Sequence, residues 1–177
     1  MSERGLRPLV LDTNVAVKWH LNEEWSEEAS DVLASVGDTI SESLAPGTIQ
    51  PEFFNTLWQR QRRGDITPDE VRRGWEDFVA GEPITLYAPE DLMPRAAEIV
   101  LETGVIVYDA LFLALAEDAN TVLVTADEKL LRIIENTVFA NLALPLANFP
   151  DLIPNPVEEC LDFTPPPGAT SGSWSGP

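Results

Sequence analysis

The chain has 177 residues, 44% of them hydrophobic, and a net charge of −19, which is typical of one globular domain and excludes a largely disordered chain. Its one cysteine, Cys160, excludes an intrachain disulfide, and its one histidine, His20, excludes a metal site built on two histidines. No run reaches the ~18 apolar residues of a membrane helix. The N-terminal apolar run is broken by Asp12 and Asn14, so we expect no signal peptide, no membrane contact and a cytoplasmic location.

Short apolar runs alternate with longer helical patterns along the chain. The predicted strands are Arg7–Leu11, Leu44–Pro46, Ile84–Tyr87 and Thr121–Val124, and residues 105–107 are predicted to be extended. The predicted helices are 14–21, 26–36, 51–63, 67–80, 89–103, 108–118 and 127–135. This alternation predicts an α/β sandwich with a mainly parallel sheet.

The composition changes after Phe149. Seven of the last 28 residues are proline, and residues 170–177 are rich in glycine and serine. We therefore predict a domain at residues 1–149 and a largely extended or disordered tail at 150–177. Within the tail, Val157–Phe163 could place a turn of helix against the domain.

Four acidic residues occupy positions that favour a common site. Asp12 ends the first strand, Asp127 follows the strand TVLV, and Asp109 begins an almost wholly apolar helix. Because ligands bind beyond the carboxyl ends of parallel strands, these aspartates should collect at one edge, which Glu52 could also reach from the first turn of its helix. Each acid taken alone could instead cap a helix or complement its dipole.

A cluster of carboxylates has a chemical consequence. Two unit charges ~4 Å apart repel by about 4 kcal/mol at an effective dielectric of 20, so the cluster is unfavourable without a cation. Oxygen ligands without histidine or cysteine select Mg²⁺ or Mn²⁺. Such an ion can lower the pKa of a bound water and neutralise the charge that develops on a phosphodiester. The four acids therefore favour a metal-dependent phosphodiesterase.

The segments that carry these acids resemble the PIN-domain family, specifically its VapC-type toxins. The matching stretches are LDTNVAVKWHL (11–21), PEFFNTLWQRQRRGDIT (51–67), VYDALFLALAE (107–117) and LVTADEKLL (123–131). They occur in the family's order and at its usual spacing, and the resemblance covers about residues 8–149. The proline-rich tail is additional, since VapC-type chains commonly end near the position of Phe149.

The resemblance implies a PIN-like three-layer sandwich with about five parallel strands flanked by helices. It also implies Mg²⁺- or Mn²⁺-dependent cleavage of RNA by a homodimeric toxin that a cognate antitoxin holds inactive. By motif position, Asp12, Glu52, Asp109 and Asp127 match the family's catalytic, metal-binding acids. Asn55 matches the polar residue one turn after the glutamate. Thr13 and Thr125 match the hydroxyl residues beside the first and last acids, and these hydroxyl groups are expected to orient the metal ligands through hydrogen bonds.

The distribution of charge bears on the partners. At −19 the chain repels nucleic acid at long range, which favours a basic protein partner, although acidity also simply increases solubility. Five of the eleven basic residues lie around one turn, and they are predicted to contact either RNA phosphates or the partner, or to be solvated helix ends: Arg60, Arg62, Arg63, Arg72 and Arg73. Four tryptophans at helical positions are more typical of core or dimer contacts than of base stacking: Trp19, Trp25, Trp58 and Trp75.

Two other functions remain open at this point. The stretch LDTNV resembles the first motif of haloacid-dehalogenase-like phosphatases, but that chemistry needs a second aspartate where Asn14 stands. A catalytically silent PIN-like scaffold that binds a protein partner would explain the acidity and the tail. Metal-dependent cleavage of RNA distinguishes the leading hypothesis from the scaffold.

Overall fold

The computed structural model describes residues 7–81 and 83–152. The strands are β1 (Arg7–Leu11), β2 (Ile40–Pro46), β3 (Ile84–Tyr87), β4 (Leu123–Thr125) and β5 (Ala143–Pro145). The helices are α1 (Thr13–Val17), α2 (Ser26–Ser35), α3 (Ile49–Arg63), α4 (Pro68–Gly81), α5 (Pro89–Thr103), α6 (Val107–Asp118) and α7 (Glu128–Ile134). Two 3-10 helices follow, at Ala140–Leu142 and Leu146–Leu152.

The strands form one sheet in the order β3-β2-β1-β4-β5, and every neighbouring pair is parallel. This confirms the predicted fold of about five parallel strands with helices around them. The chain moves outward from β1 to β3, then returns to the other side of β1 to form β4 and β5. The order therefore reverses between β1 and β4, and such a reversal is where parallel α/β sheets bind ligands.

Alternate residues of β1 face opposite sides of the sheet, as the pleat requires. Val10 packs into the larger core, which includes Phe53 of α3 and Phe112 of α6. Leu9 and Leu11 pack into a smaller core on the other side. The sheet is thus buried on both faces, as parallel sheets are.

Helix α6 is the most deeply buried helix in the described part of the chain. Seven consecutive residues, Ala110–Ala116, are buried. A helix enclosed on all sides needs apolar residues all round, which explains the sequence ALFLALA. Asp109 lies in its first turn, at the edge of this apolar region.

Some predicted boundaries were wrong. Helix α3 begins at Ile49 rather than at Pro51, because the backbone N–H of Glu52 already bonds to the carbonyl of Thr48. Helix α1 ends at Val17 rather than near Leu21. Most backbone hydrogen bonds that follow it join residues three positions apart, as in a 3-10 turn, instead of four. Strand β2 begins at Ile40, four residues before the predicted start.

The last strand was missed because three residues make too short a pattern to recognise. The final 3-10 helix crosses the predicted domain boundary at Phe149, whose side chain is buried in the smaller core. The rest of the predicted tail, including Val157–Phe163, lies outside the described residues.

Among the described helices, none is by itself both long and apolar enough to cross a membrane. Helices α5 and α6 meet that criterion only as a pair, and they are bent by 115° relative to each other.

Candidate active site

The carboxyl ends of β1 and β4 carry a hydrogen-bonded network around Asp12. The Asp12 N–H continues the sheet by donating to the carbonyl of Val124 over 3.1 Å. Oδ2 of Asp12 accepts hydrogen bonds from the Thr125 hydroxyl at 2.5 Å and from Nδ2 of Asn14 at 2.8 Å. These donors hold the carboxylate of Asp12 in one orientation at the end of β1.

Asn14 joins the two strand ends directly. Its Nδ2 donates to Asp12, and its Oδ1 accepts the N–H of Ala126 at 2.9 Å. The sequence pattern singled out Asn14 only as the residue that stands in place of the second aspartate of the phosphatase motif. Three polar residues in a row after a buried strand, Asp12-Thr13-Asn14, were the signal that the whole triplet belongs to the site.

Glu52 reaches the same edge from the first turn of α3. Its Oε2 accepts the hydroxyl of Thr13 at 3.2 Å, which ties α3 to α1. Its Oε1 is buried and has no hydrogen-bond partner among the described residues. A buried carboxylate oxygen without a donor is costly, and a cation bound beside it would lower this cost. The hydroxyl of Thr48 lies close enough to oppose the rise in the pKa of Glu52.

Asp127 caps α7. Its Oδ1 accepts the N–H groups of Lys129 at 2.8 Å and Leu130 at 3.1 Å. The capping explanation considered for this residue is therefore correct in part, because one carboxylate oxygen is occupied by the helix end. The charge of Asp127 nevertheless acts on the other acids of the site.

The four acids lie close enough to influence one another's ionisation. Burial and then repulsion by Asp12, Asp127 and Glu52 raise the pKa of Asp109 to about 7. Burial also raises the pKa of Asp12, with a contribution from Asp127, and the pKa of Glu52, with a contribution from Asp12. Lys129 opposes the shift at Asp109, so one of the two lysines of the chain lies close to the cluster.

The three supporting residues differ in what they contact. Thr125 lies two residues before the last acid and its hydroxyl accepts the N–H of Asp127 at 2.9 Å, while the same hydroxyl donates to Asp12. Thr13 is adjacent to the first acid, yet its hydroxyl donates to Glu52. Asn55 is exposed on α3 and makes no side-chain hydrogen bond in the described part of the chain.

The predicted basic cluster is partly neutralised within the chain. Arg60 forms ion pairs with Glu23 and, at 3.7 Å, with Asp65. Arg72 pairs with Asp69 on the surface of α4. The other three arginines of the cluster are exposed: Arg62, Arg63 and Arg73. Arg73 also lines a pocket between α3 and α4.

A family model for the PIN domain matches residues 9–136. The chain belongs to the PIN-domain family. Over 126 residues it is 31% identical to Ribonuclease VapC3 of Pyrobaculum aerophilum. The matched region covers 69% of this chain and 91% of that protein. The resemblance that the four sequence motifs suggested is thus confirmed, and the match favours the PIN family over the haloacid-dehalogenase-like alternative.

Solved structures have the same fold. The structure of PAE2754 from Pyrobaculum aerophilum has a TM-score of 0.57 at 16% identity and covers 85% of this chain and 99% of that one. A toxin–antitoxin complex from Klebsiella pneumoniae has a TM-score of 0.52 at 14% identity and covers 78% of this chain and 97% of that one. At these identities the comparison establishes the architecture and not the activity.

The donor set of this PIN domain suits a hard divalent cation. It consists of carboxylates without histidine or cysteine, and Oε1 of Glu52 is buried without a donor. As they stand, however, no three acidic, histidine or cysteine side chains in residues 7–81 and 83–152 are grouped so that they could hold a metal ion. The acids are nevertheless close enough to raise one another's pKa.

Proposed function

We propose that this PIN domain is an endoribonuclease that hydrolyses RNA phosphodiester bonds with Mg²⁺ or Mn²⁺, and that it is the toxin of a type II toxin–antitoxin pair. The observation that carries the proposal is the grouping of Asp12, Glu52, Asp109 and Asp127 at the switch point of the sheet, where burial and, after it, repulsion between these acids raise the pKa of Asp12, Glu52 and Asp109. Membership of the PIN family and the likeness to a protein named as a ribonuclease support it.

The four acids would hold the cation, which when bound supplies a water of lowered pKa and neutralises charge on the phosphodiester. The surrounding residues prepare them for this role. Hydrogen bonds from Thr125 and Asn14 favour the ionised form of Asp12 and fix its direction. The hydroxyl of Thr13 holds one oxygen of Glu52 and leaves the other without a donor.

The proposal includes partners. One of the structural relatives is a toxin–antitoxin complex from Klebsiella pneumoniae, which supports a cognate antitoxin for this chain. At a net charge of −19, a basic antitoxin would be attracted over long range. We also propose that the protein acts in the cytoplasm as a homodimer, as the resemblance to VapC-type toxins implies.

The test is cleavage of RNA by the purified chain in Mg²⁺, in Mn²⁺ and in EDTA. We expect hydrolysis with either ion and none in EDTA. Binding of a protein partner without any cleavage, at full metal occupancy, would instead support the catalytically silent scaffold. Hydrolysis of a phosphomonoester without cleavage of RNA would support the phosphatase.

A further inference from the structure

The outer face of α3 carries an exposed tryptophan next to an exposed arginine. Trp58 is 43% exposed. The guanidinium carbon of Arg62 lies over its indole ring, 5.1 Å from the ring centroid. The arginine occupies one face of the ring, so a planar group would stack on the other face.

This tryptophan is not a core residue, so of the two more typical roles of its position only the dimer contact remains beside base stacking. Trp19 differs from it, because that side chain packs against the core and its Nε1 donates to the carbonyl of Ala29 at 2.7 Å. Phe54, one turn before Trp58, is also 43% exposed and meets Trp75 of α4 edge-on at 5.6 Å. Phe54, Trp58 and Trp75 form an aromatic surface on α3 and α4.

The exposed strip of α3 that carries Trp58 starts one turn after Glu52 and is turned partly away from it around the helix axis. Glu52 and Trp58 lie on the same helix, six residues apart, which is about 9 Å along the axis. Asn55, Trp58 and Arg62 follow one another at spacings of three and four residues, so they share one strip of the helix. A chain that lies across Glu52 and follows this strip reaches Trp58 and then Arg62.

The charge on this strip is opposite to that of the molecule as a whole. The second half of α3 carries three arginines and no acid. Arg60 is paired with Glu23 and Asp65, but Arg62 and Arg63 are exposed. Exposed arginines and an exposed indole together suit a ligand that presents both phosphates and flat rings. Single-stranded nucleic acid has both, whereas the bases of a duplex are already stacked on one another.

We propose that Trp58 is a stacking platform for a base of a single-stranded RNA substrate that runs along α3, with Arg62 supporting the ring and contacting the phosphate chain. The inference rests on the proposed nuclease function and assigns Trp58 and Arg62 of α3 to the binding of its substrate. Trp58 is too far along the helix to join the acids in the reaction. It is therefore a specificity-determining residue, which affects binding more than the chemical step.

The first experiment compares Trp58→Ala, Trp58→Phe and the unmodified protein on a single-stranded oligoribonucleotide. Removing one stacked base contact lowers affinity by about tenfold, so Trp58→Ala should raise Kd and KM by that factor and leave kcat within about twofold. Trp58→Phe keeps a ring and should restore most of the affinity. Leu101→Ala on α5 is the matched control, since Leu101 is 87% exposed on another helix and should have no effect.

The second experiment leaves the protein unchanged and removes bases from the RNA one at a time. One abasic position should weaken binding to the unmodified protein about tenfold and have little further effect on Trp58→Ala. A duplex of the same sequence should bind more weakly and be insensitive to Trp58→Ala. If Trp58→Ala binds single-stranded RNA as well as the unmodified protein does, the platform is wrong and the surface serves another partner.

The failure of this inference and that of the proposed function give different results. Cleavage with an unchanged KM in Trp58→Ala would overturn the platform and keep the nuclease. Binding of single-stranded RNA that depends on Trp58, without any metal-dependent cleavage, would overturn the nuclease and keep the platform.

Discussion

The hydroxyl of Thr125 lies 2.5 Å from Oδ2 of Asp12, and this contact joins residues 113 positions apart in the chain. It connects the ends of β1 and β4, where the strand order reverses. Thr125 is fully buried, so its hydroxyl has no access to water as an alternative partner. The contact therefore both stabilises the sheet and holds the first acid of the proposed site.

Replacement of this hydroxyl should be costly. Thr125→Val keeps the shape of the side chain but removes a donor to a carboxylate, and a lost bond to a buried polar group typically costs about 1–3 kcal/mol. The free energy of unfolding from urea denaturation measures this. Thr137→Val is the control, because the hydroxyl of Thr137 donates to the backbone carbonyl of Ile134 rather than to a carboxylate. Equal losses in both variants would show that the Asp12 contact has no special weight.

The fold was largely predictable because its signals are local. The strand Ile84–Tyr87 and the helix Pro89–Thr103 have the predicted bounds. Gly64 and Gly104 end their helices with positive φ angles of 84° and 76°, as their sequence positions indicated. Periodicity and end signals of this kind do not depend on the rest of the chain.

The details of the site depend on contacts between distant segments, which one sequence does not reveal. Nothing local indicates that Arg60 pairs with Glu23, or that the hydroxyl of Thr125 donates to Asp12 besides accepting the N–H of Asp127. The exposure of Trp58 likewise depends on what α4 covers, and its helical position alone favoured a core or dimer contact. The four acids could be identified from their positions in the sequence, but the distances between them in the folded chain could not be predicted.

The stability of the metal-free protein should fall as pH rises through the acidic range. The pKa of Asp109 is about 7 in the folded chain and 3.8 in the reference state, so the folded chain keeps a proton that the unfolded chain has lost. Protonation therefore favours the folded state between these values, and the free energy of unfolding decreases from pH 4 to pH 7 and then levels off.

Asp109→Asn removes this contribution. In EDTA, the difference in Tm between Asp109→Asn and the unmodified protein should grow in favour of the variant from pH 5 to pH 8. Asp118→Asn, at the other end of α6 and exposed, tests whether general surface charge explains the effect. A pH-independent difference for Asp109→Asn would mean that the pKa of this carboxyl is not raised in the folded chain.

Divalent metal should stabilise the folded chain through the same acids. An ion that binds only the folded state adds about 2.7 kcal/mol at 100 times its Kd. Thermal denaturation with and without Mn²⁺ should show an increase in Tm for the unmodified protein and little or none for Asp109→Asn. The same increase in both proteins would place the ion elsewhere on this acidic surface.

The exposed arginines of α3 should affect RNA affinity more than turnover. Each phosphate contact that is lost reduces the slope of log affinity against log salt by roughly one unit. Arg62→Ala/Arg63→Ala should therefore weaken RNA binding and flatten its salt dependence, with kcat little changed. Arg60 is not substituted because it forms an ion pair with Glu23. An unchanged slope would assign these arginines to a protein partner or to solvent.

The most direct measurement is the rate of single-stranded RNA cleavage in Mg²⁺ and in Mn²⁺ by the unmodified chain, Asp109→Asn and Asp118→Asn. Both substitutions remove one charge from α6, but only Asp109 lies among the acids of the proposed site. We predict metal-dependent cleavage by the unmodified chain and by Asp118→Asn, and negligible cleavage by a folded Asp109→Asn. Cleavage by Asp109→Asn at the unmodified rate would contradict the assignment of the acidic cluster as the active site.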